Sequence, residues 1–228
     1  MLVNADFSRR ATVAPGQYRW VRSPQGGVER AMLDRVGGEA ARATSIVRYA
    51  PGSCFPRHHH PGGEEILVLS GTFCEDGERY PAGWYLRNPP GSVHRPSSPE
   101  GAVIFVKLRQ MQPAETARVR IDTNAASSWR HSAEGDTCPL FSGATERVCL
   151  HRLAAGQRLS TRFDNGAEVF VIAGRARVAS TEHERGSWLR LPPGDRPAIA
   201  AGPGGATLYV KTGHLRGDMT EKEHVCER

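Results

Sequence analysis

Two stretches of this chain recur at a fixed distance, and that repetition limits the possible folds more than any other feature. Gly63-Glu-Glu-Ile-Leu-Val-Leu-Ser-Gly71 is echoed 103 residues later by Gly166-Ala-Glu-Val-Phe-Val-Ile-Ala-Gly174. Tyr80-Pro-Ala-Gly-Trp-Tyr-Leu-Arg-Asn-Pro-Pro-Gly91 has its counterpart at the same offset in His183-Glu-Arg-Gly-Ser-Trp-Leu-Arg-Leu-Pro-Pro-Gly194, and Phe105-Val-Lys107 returns as Tyr209-Val-Lys211. A repeat of this kind is an internal duplication of one structural unit. Each copy is built from apolar runs of strand length, closed by Gly or Pro-Pro-Gly about every 8–12 residues, which is the pattern of a sandwich or barrel. The 25 Gly and 16 Pro of the 228 residues fit many turns rather than long helices. Gln110 to Ser128 is polar and reads as a linker with at most one strand at 117–121. Domains are therefore expected over residues 1–112 and 113–228.

The first copy carries a chemistry that the second lacks. His58 and His60 are two apart, so on a strand their side chains leave the same face. Pro61-Gly62-Gly63 is a turn signal, and Glu64 opens the next apolar run. A later strand ends in Pro89-Pro90-Gly91 and reaches His94. Three imidazoles and a carboxylate suit a first-row transition metal. His58, His60, Glu64 and His94 are thus the expected ligands of one ion. His59 and Glu65 have the opposite strand parity. Gly62, Gly63 and Gly91 would keep bulk away from the hairpin ends, with Asn88 and Ser92 as small polar neighbours, so an open coordination position is expected. In the second copy the same register holds Thr161, Phe163, Ala167 and Pro197, which leaves one metal per chain. Zinc, iron, manganese and nickel all suit the donor set, with zinc or iron foremost.

These residues resemble the cupins. The cupin spacing G-x5-H-x-H-x3-E-x6-G is matched by Gly52, His58, His60, Glu64 and Gly71. The second spacing, G-x5-P-x-G-x2-H-x3-N, is matched by Gly83, Pro89, Gly91 and His94, with Ser98 where Asn is usual. The wording around them is similar to the ChrR-type branch, which includes the cupin half of ChrR anti-sigma factors and is related to dioxygenases of diketones and hydroxyacetophenones. The resemblance implies an all-β bicupin, two double-stranded β-helix (jelly-roll) barrels, the second degenerate. It leaves three functional readings open. One is a small-molecule or oxygen-handling enzyme. Another is a sensor related to the anti-sigma factors of the oxidative stress response. The third is a cupin whose metal only braces the barrel. The His-x3-Cys-x2-Cys signature of the sigma-binding helical domain has no match here, so the resemblance supports the sensor module and not sigma-factor binding.

Composition narrows the partners. The net charge is +6 and the pI about 9.4, but 27 of the 30 basic residues are Arg spread along the chain. No basic stripe or recognition helix points to nucleic acid. No apolar run approaches the roughly 18 residues that span a bilayer, and the N-terminus lacks the apolar core of a secretion signal, so a soluble cytoplasmic protein is expected. Five Cys with no C-x-x-C pair argue against a disulfide framework or a zinc finger. Cys54 shares parity with His58 and is expected either to line the same cavity or to be a small buried hydrophobe. Ile66–Leu69 and Val103–Val106 are apolar on both faces. They need cover from a second sheet, the other cupin or another subunit, as in a homodimer. His131, His151, His183 and His214 are scattered and read as ordinary residues. Metal contact from His224-Val-Cys226 is not expected.

Overall fold

β-Branched and aromatic residues alternating between glycine turns make strands of most of the chain. The structure is a computed structural model that describes residues 1–215 apart from Gln25 and Glu39; His224 and Cys226 lie outside the described residues. The strands are, in order, β1 (Ala11–Val13), β2 (Trp20–Arg22), β3 (Val28–Val36), β4 (Arg42–Tyr49), β5 (Ser53–Cys54) and β6 (His58–His60). They continue with β7 (Glu64–Glu75), β8 (Glu78–Pro81), β9 (Trp84–Asn88), β10 (Ser92–His94), β11 (Pro96–Ser98), β12 (Ala102–Leu108) and β13 (Val119–Asp122). The remainder are β14 (Asp136–Ser142), β15 (Arg147–Leu153), β16 (Ala167–Val178), β17 (Thr181–Glu184), β18 (Trp188–Leu191) and β19 (Ile199–Thr212). Single 3-10 turns at Pro15–Gln17 and Ala126–Ser128 are the helical elements among the described residues. None of these is long and apolar enough to cross a membrane.

The chain forms two units, against an expected division at 112/113. The first holds Met1–Ala5 and Tyr18–Ala126; the second holds Asp6–Gln17 and the chain from Ser127. Residues 113–126 lie with the first unit, where β13 pairs with β9. Residues 6–17 lie with the second, where β1 pairs with β18.

In the first unit one antiparallel sheet runs β13-β9-β7-β12-β4-β3-β2, and β8, β11 and β5 continue around the far half of β7. The run Gly71–Glu75 is the second half of one long strand. β12 is central, between β7 and β4. Val28, Val47, Ile66, Val68, Leu86, Ile104 and Val106 build the core on the inward face. The opposite face is buried as well, at Ile46, Leu67, Tyr85 and Phe105, as the two-faced apolar runs required. On that face Arg87, with no exposed surface, lies 3.0 Å from Glu65 and 2.7 Å from Glu115.

The second unit repeats this plan with β1-β18-β16-β19-β15-β14 and β17 on β16. β16 is 12 residues long, as β7 is, and Glu168, Arg190 and Lys211 take the register of Glu65, Arg87 and Lys107. The two long strands bend at matching glycines. Gly71 has φ +70°, and a Cβ there would lie 2.0 Å from the Gly101 carbonyl oxygen; Gly174 has φ +71° and would meet the Gly205 oxygen at 2.1 Å. Both positions exclude any side chain.

Candidate metal centre

β6 and β10 form a two-stranded ribbon whose register sets His94 opposite His58 and Ser92 opposite His60. Cross-strand partners share a face, so His58, His60 and His94 converge. One ligand atom from each lies within 4.8 Å of the others. The intervening His59 is exposed, as its parity requires.

The ring tautomers are set from behind. His58 Nδ1 lies 2.9 Å from the Pro56 carbonyl oxygen, and His94 Nδ1 lies 2.6 Å from Glu75 Oε2. Each Nδ1–H donates outward, which leaves the Nε2 lone pairs directed at the centre. His60 Nε2 and His94 Nε2 face each other at 2.9 Å. Two donors about 2.1 Å from one ion at right angles would stand about 3.0 Å apart, so this separation fits a shared cation. Glu64 Oε2 is 3.3 Å from His94 Nε2 and 3.6 Å from His60 Nε2, on the same side of the cluster. The four expected residues are thus gathered at one point, and the donor set fits a transition metal.

The electrostatics favour a cation. Burial pushes His60 below the ordinary imidazole range, which keeps its ring neutral. Burial opposes charge on His94 too, but the hydrogen bond to Glu75 and the Glu64 carboxylate outweigh it and raise its pKa. For Glu75, burial is outweighed by the His94 hydrogen bond and the Arg120 charge, which bring the carboxyl down to about 2.

Glu75 is the residue that sequence reasoning missed. It lies 11 positions after Glu64, which on an unbroken strand would place it on the other face. The β7–β12 register shifts between Ile104, opposite Val68, and Val103, opposite Ser70. Leu69 is the extra residue, and this bulge turns Glu75 back towards the histidines. A network then holds it. Arg120 donates to Glu75 Oε1 and to Asn88 Oδ1, and Asn88 Nδ2 reaches Glu75 Oε2 at 3.1 Å and Glu64 Oε2 at 3.4 Å. Tyr80 accepts from Arg120 Nε at 3.1 Å. Arg-Val-Arg120 on the polar segment after β12 was the one available sequence signal.

Several expectations are corrected. Cys54 is exposed and pairs through β5 with Ser97, so it neither lines the site nor fills a core. Gly62 and Gly63 are small because Arg109 and Met111 pack against them, not to open the centre. Ser98, at the usual Asn position, is buried and donates to the Thr72 carbonyl at 2.7 Å, a purely structural bond. In the second unit no strand forms at 160–163 or 195–198, so the histidine-bearing ribbon has no counterpart there. Phe163 and Ala167 instead join the apolar core of that unit. Thr161 meets His151 at 3.3 Å, and burial lowers the His151 pKa to about 4.

Residues 8–112 match the family model of the ChrR cupin-like domain. No curated protein matches the chain in sequence. Among solved structures, the chain is similar to a provisionally assigned dioxygenase from Nostoc punctiforme, at TM-score 0.70 and 13% identity over 96% of this chain and 85% of that one. It is similar also to the bacterial pirin YhhW of Escherichia coli in complex with nickel(II), at TM-score 0.69 and 12% identity over 90% and 99%. The E. coli protein YlbA superposes with TM-score 0.68 and 15% identity over 94% and 95%. Identities this low establish the fold alone. The chain has the cupin fold, and its segment 8–112 is similar to the ChrR cupin-like domain.

Proposed function

We propose that this protein is a bicupin with one mononuclear metal centre, held by His58, His60, His94 and Glu64, that handles a small chelating oxygen compound and dioxygen in the manner of the diketone-type dioxygenases. The observation that supports it most is the asymmetry of the cluster. His60 and His94 are buried, at 8% and 1% exposure, while His58 is only half-buried. His60, His94 and Glu64 thus crowd the buried side, and the His58 side stays within reach of a small molecule. A structural site would be closed by protein ligands all round.

When bound, a transition-metal ion supplies Lewis acidity towards a chelating substrate and, if redox-active, electrons for dioxygen. The protein supplies orientation and a dry wall. Pro56 and Glu75 fix the rings of His58 and His94. Asn88 ties Glu64 to Glu75, so the two carboxylates cannot swing independently. Phe55 lies 6.0 Å from His58, and Phe73 lies 6.5 Å from His94, so aromatic surface replaces water beside the rings.

The test is a spectroscopic titration of the cobalt(II)-loaded protein with acetylacetone, followed by oxygen-electrode assays of the iron(II)-loaded protein. Perturbed cobalt bands and diketone-dependent oxygen uptake are expected. Binding without uptake would assign the centre to sensing. Bands that no small ligand perturbs would reduce the metal to a brace.

A further inference from the structure

Arg30 sits on a face where an arginine has no ordinary reason to be. In β3 it pairs with Val47, and the same row of the sheet continues through Ile104 to Val68. All three belong to the inward core of the first unit. Side chains alternate along a strand, so Arg30 shares this inward face with Val28, two residues before it. Its Nε is buried and no protein group accepts from it. Its Nη2 reaches only the Ser23 hydroxyl, at 3.4 Å. Among the described residues no carboxylate pairs with it. A buried guanidinium nitrogen without an acceptor is costly unless an anion supplies one.

The surroundings connect this arginine to the histidines. Tyr49 pairs with Val28, one row from Arg30, and its ring packs edge-on against Phe55 at 6.0 Å and Phe73 at 5.8 Å. Those two rings are the ones beside His58 and His94. Burial holds the Tyr49 hydroxyl far above its usual range; the Glu64 carboxylate adds to this and Arg30 opposes it, so one phenol feels both charges. Arg35 lies further along the same strand, and burial and then the charge of Arg30 lower its pKa. The two acids of this strand, Glu29 and Asp34, face Arg48 and Arg42, so the Arg30 guanidinium is left as a charge that a bound anion would relieve.

We propose that the first barrel binds a small organic carboxylate, with its carboxylate group on Arg30 and its chelating end at the histidine cluster. This rests on the metal-centre reading above and adds the substrate class. Guanidinium matches carboxylate through two parallel hydrogen bonds, which a neutral ligand cannot replace.

The experiment compares two probes that share a 1,3-diketone unit, acetylpyruvate with a carboxylate and acetylacetone without one, on cobalt(II)-loaded protein followed by its visible bands. Wild type should prefer acetylpyruvate. Arg30→Gln should weaken acetylpyruvate about tenfold or more, the scale of one charge-assisted contact, while leaving cobalt content and acetylacetone affinity unchanged. Arg30→Lys should recover part of the loss. Acetylpyruvate affinity unchanged in Arg30→Gln, or an equal fall for both probes, overturns the proposal. Should Arg30→Gln fail to fold, the wild-type preference between the probes decides. Absence of cobalt bands in wild type would remove the metal centre and this proposal together. Bands without carboxylate preference would remove this proposal alone.

Discussion

Glu75 accepts a hydrogen bond from His94 Nδ1 at 2.6 Å, and Arg120 holds the same carboxylate from the other side. Such a partner fixes the ring and raises its basicity as a ligand. Glu75→Gln should therefore lower metal affinity about 10–100-fold without removing a ligand. Competition with a chelator of known affinity measures it. An unchanged affinity would show that the bond does not orient His94.

The same carboxylate predicts an acid dependence. Its folded pKa of about 2 lies below the ordinary 4.5, because the His94 bond and Arg120 outweigh burial. A depressed carboxyl contributes stability that is fully present above the unfolded value and is lost as pH falls towards the folded one. In metal-free protein, the gap in unfolding free energy between wild type and Glu75→Gln should shrink as pH falls through this window, by at most about 3 kcal/mol. Urea titrations across it provide the check. A gap independent of pH would contradict the assignment.

Gly71 and Gly174 predict a matched pair of failures. Each holds a left-handed conformation with a carbonyl oxygen where a Cβ would be. Gly71→Ala and Gly174→Ala should each destabilise by more than about 1 kcal/mol, because both conformation and space are incompatible. Urea denaturation reports it. Neutral effects at both would mean that the bends are not obligatory.

Much of the site was legible because strand geometry is periodic. His58 and His60 share a face by their spacing, and the glycine and proline turns around Glu64 and His94 are local signals. The loss of Thr161, Phe163, Ala167 and Pro197 as ligands was equally readable, since side-chain chemistry alone decides it. Glu75 was hidden because the bulge at Leu69 reverses parity, and no local residue marks a bulge that the partner strand defines. Residues 113–126 read as a linker because what ties them down is polar: Arg120 is held by Glu75, Asn88 and Tyr80 rather than by an apolar stripe. The pairing of β1 with β18 joins positions 175 or more apart through three residues, too short a run to carry a pattern.

The replaced ligands also set the stoichiometry. Phe163 and Ala167 are core residues of the second unit, and no ribbon forms there to carry others. Titration of metal-free protein should saturate at one equivalent per chain. A second tight equivalent that survives His58→Ala would show that the second unit binds metal through other groups.

The most direct measurement is the metal content of wild type, His58→Ala and His94→Ala after equilibration with zinc(II) or iron(II) and removal of free ion. His58, His60, His94 and Glu64 acting as one site predict about one equivalent in wild type and a loss of affinity by orders of magnitude in each variant, since the remaining donors cannot complete the shell. A full equivalent retained by both variants would contradict the assignment of the centre.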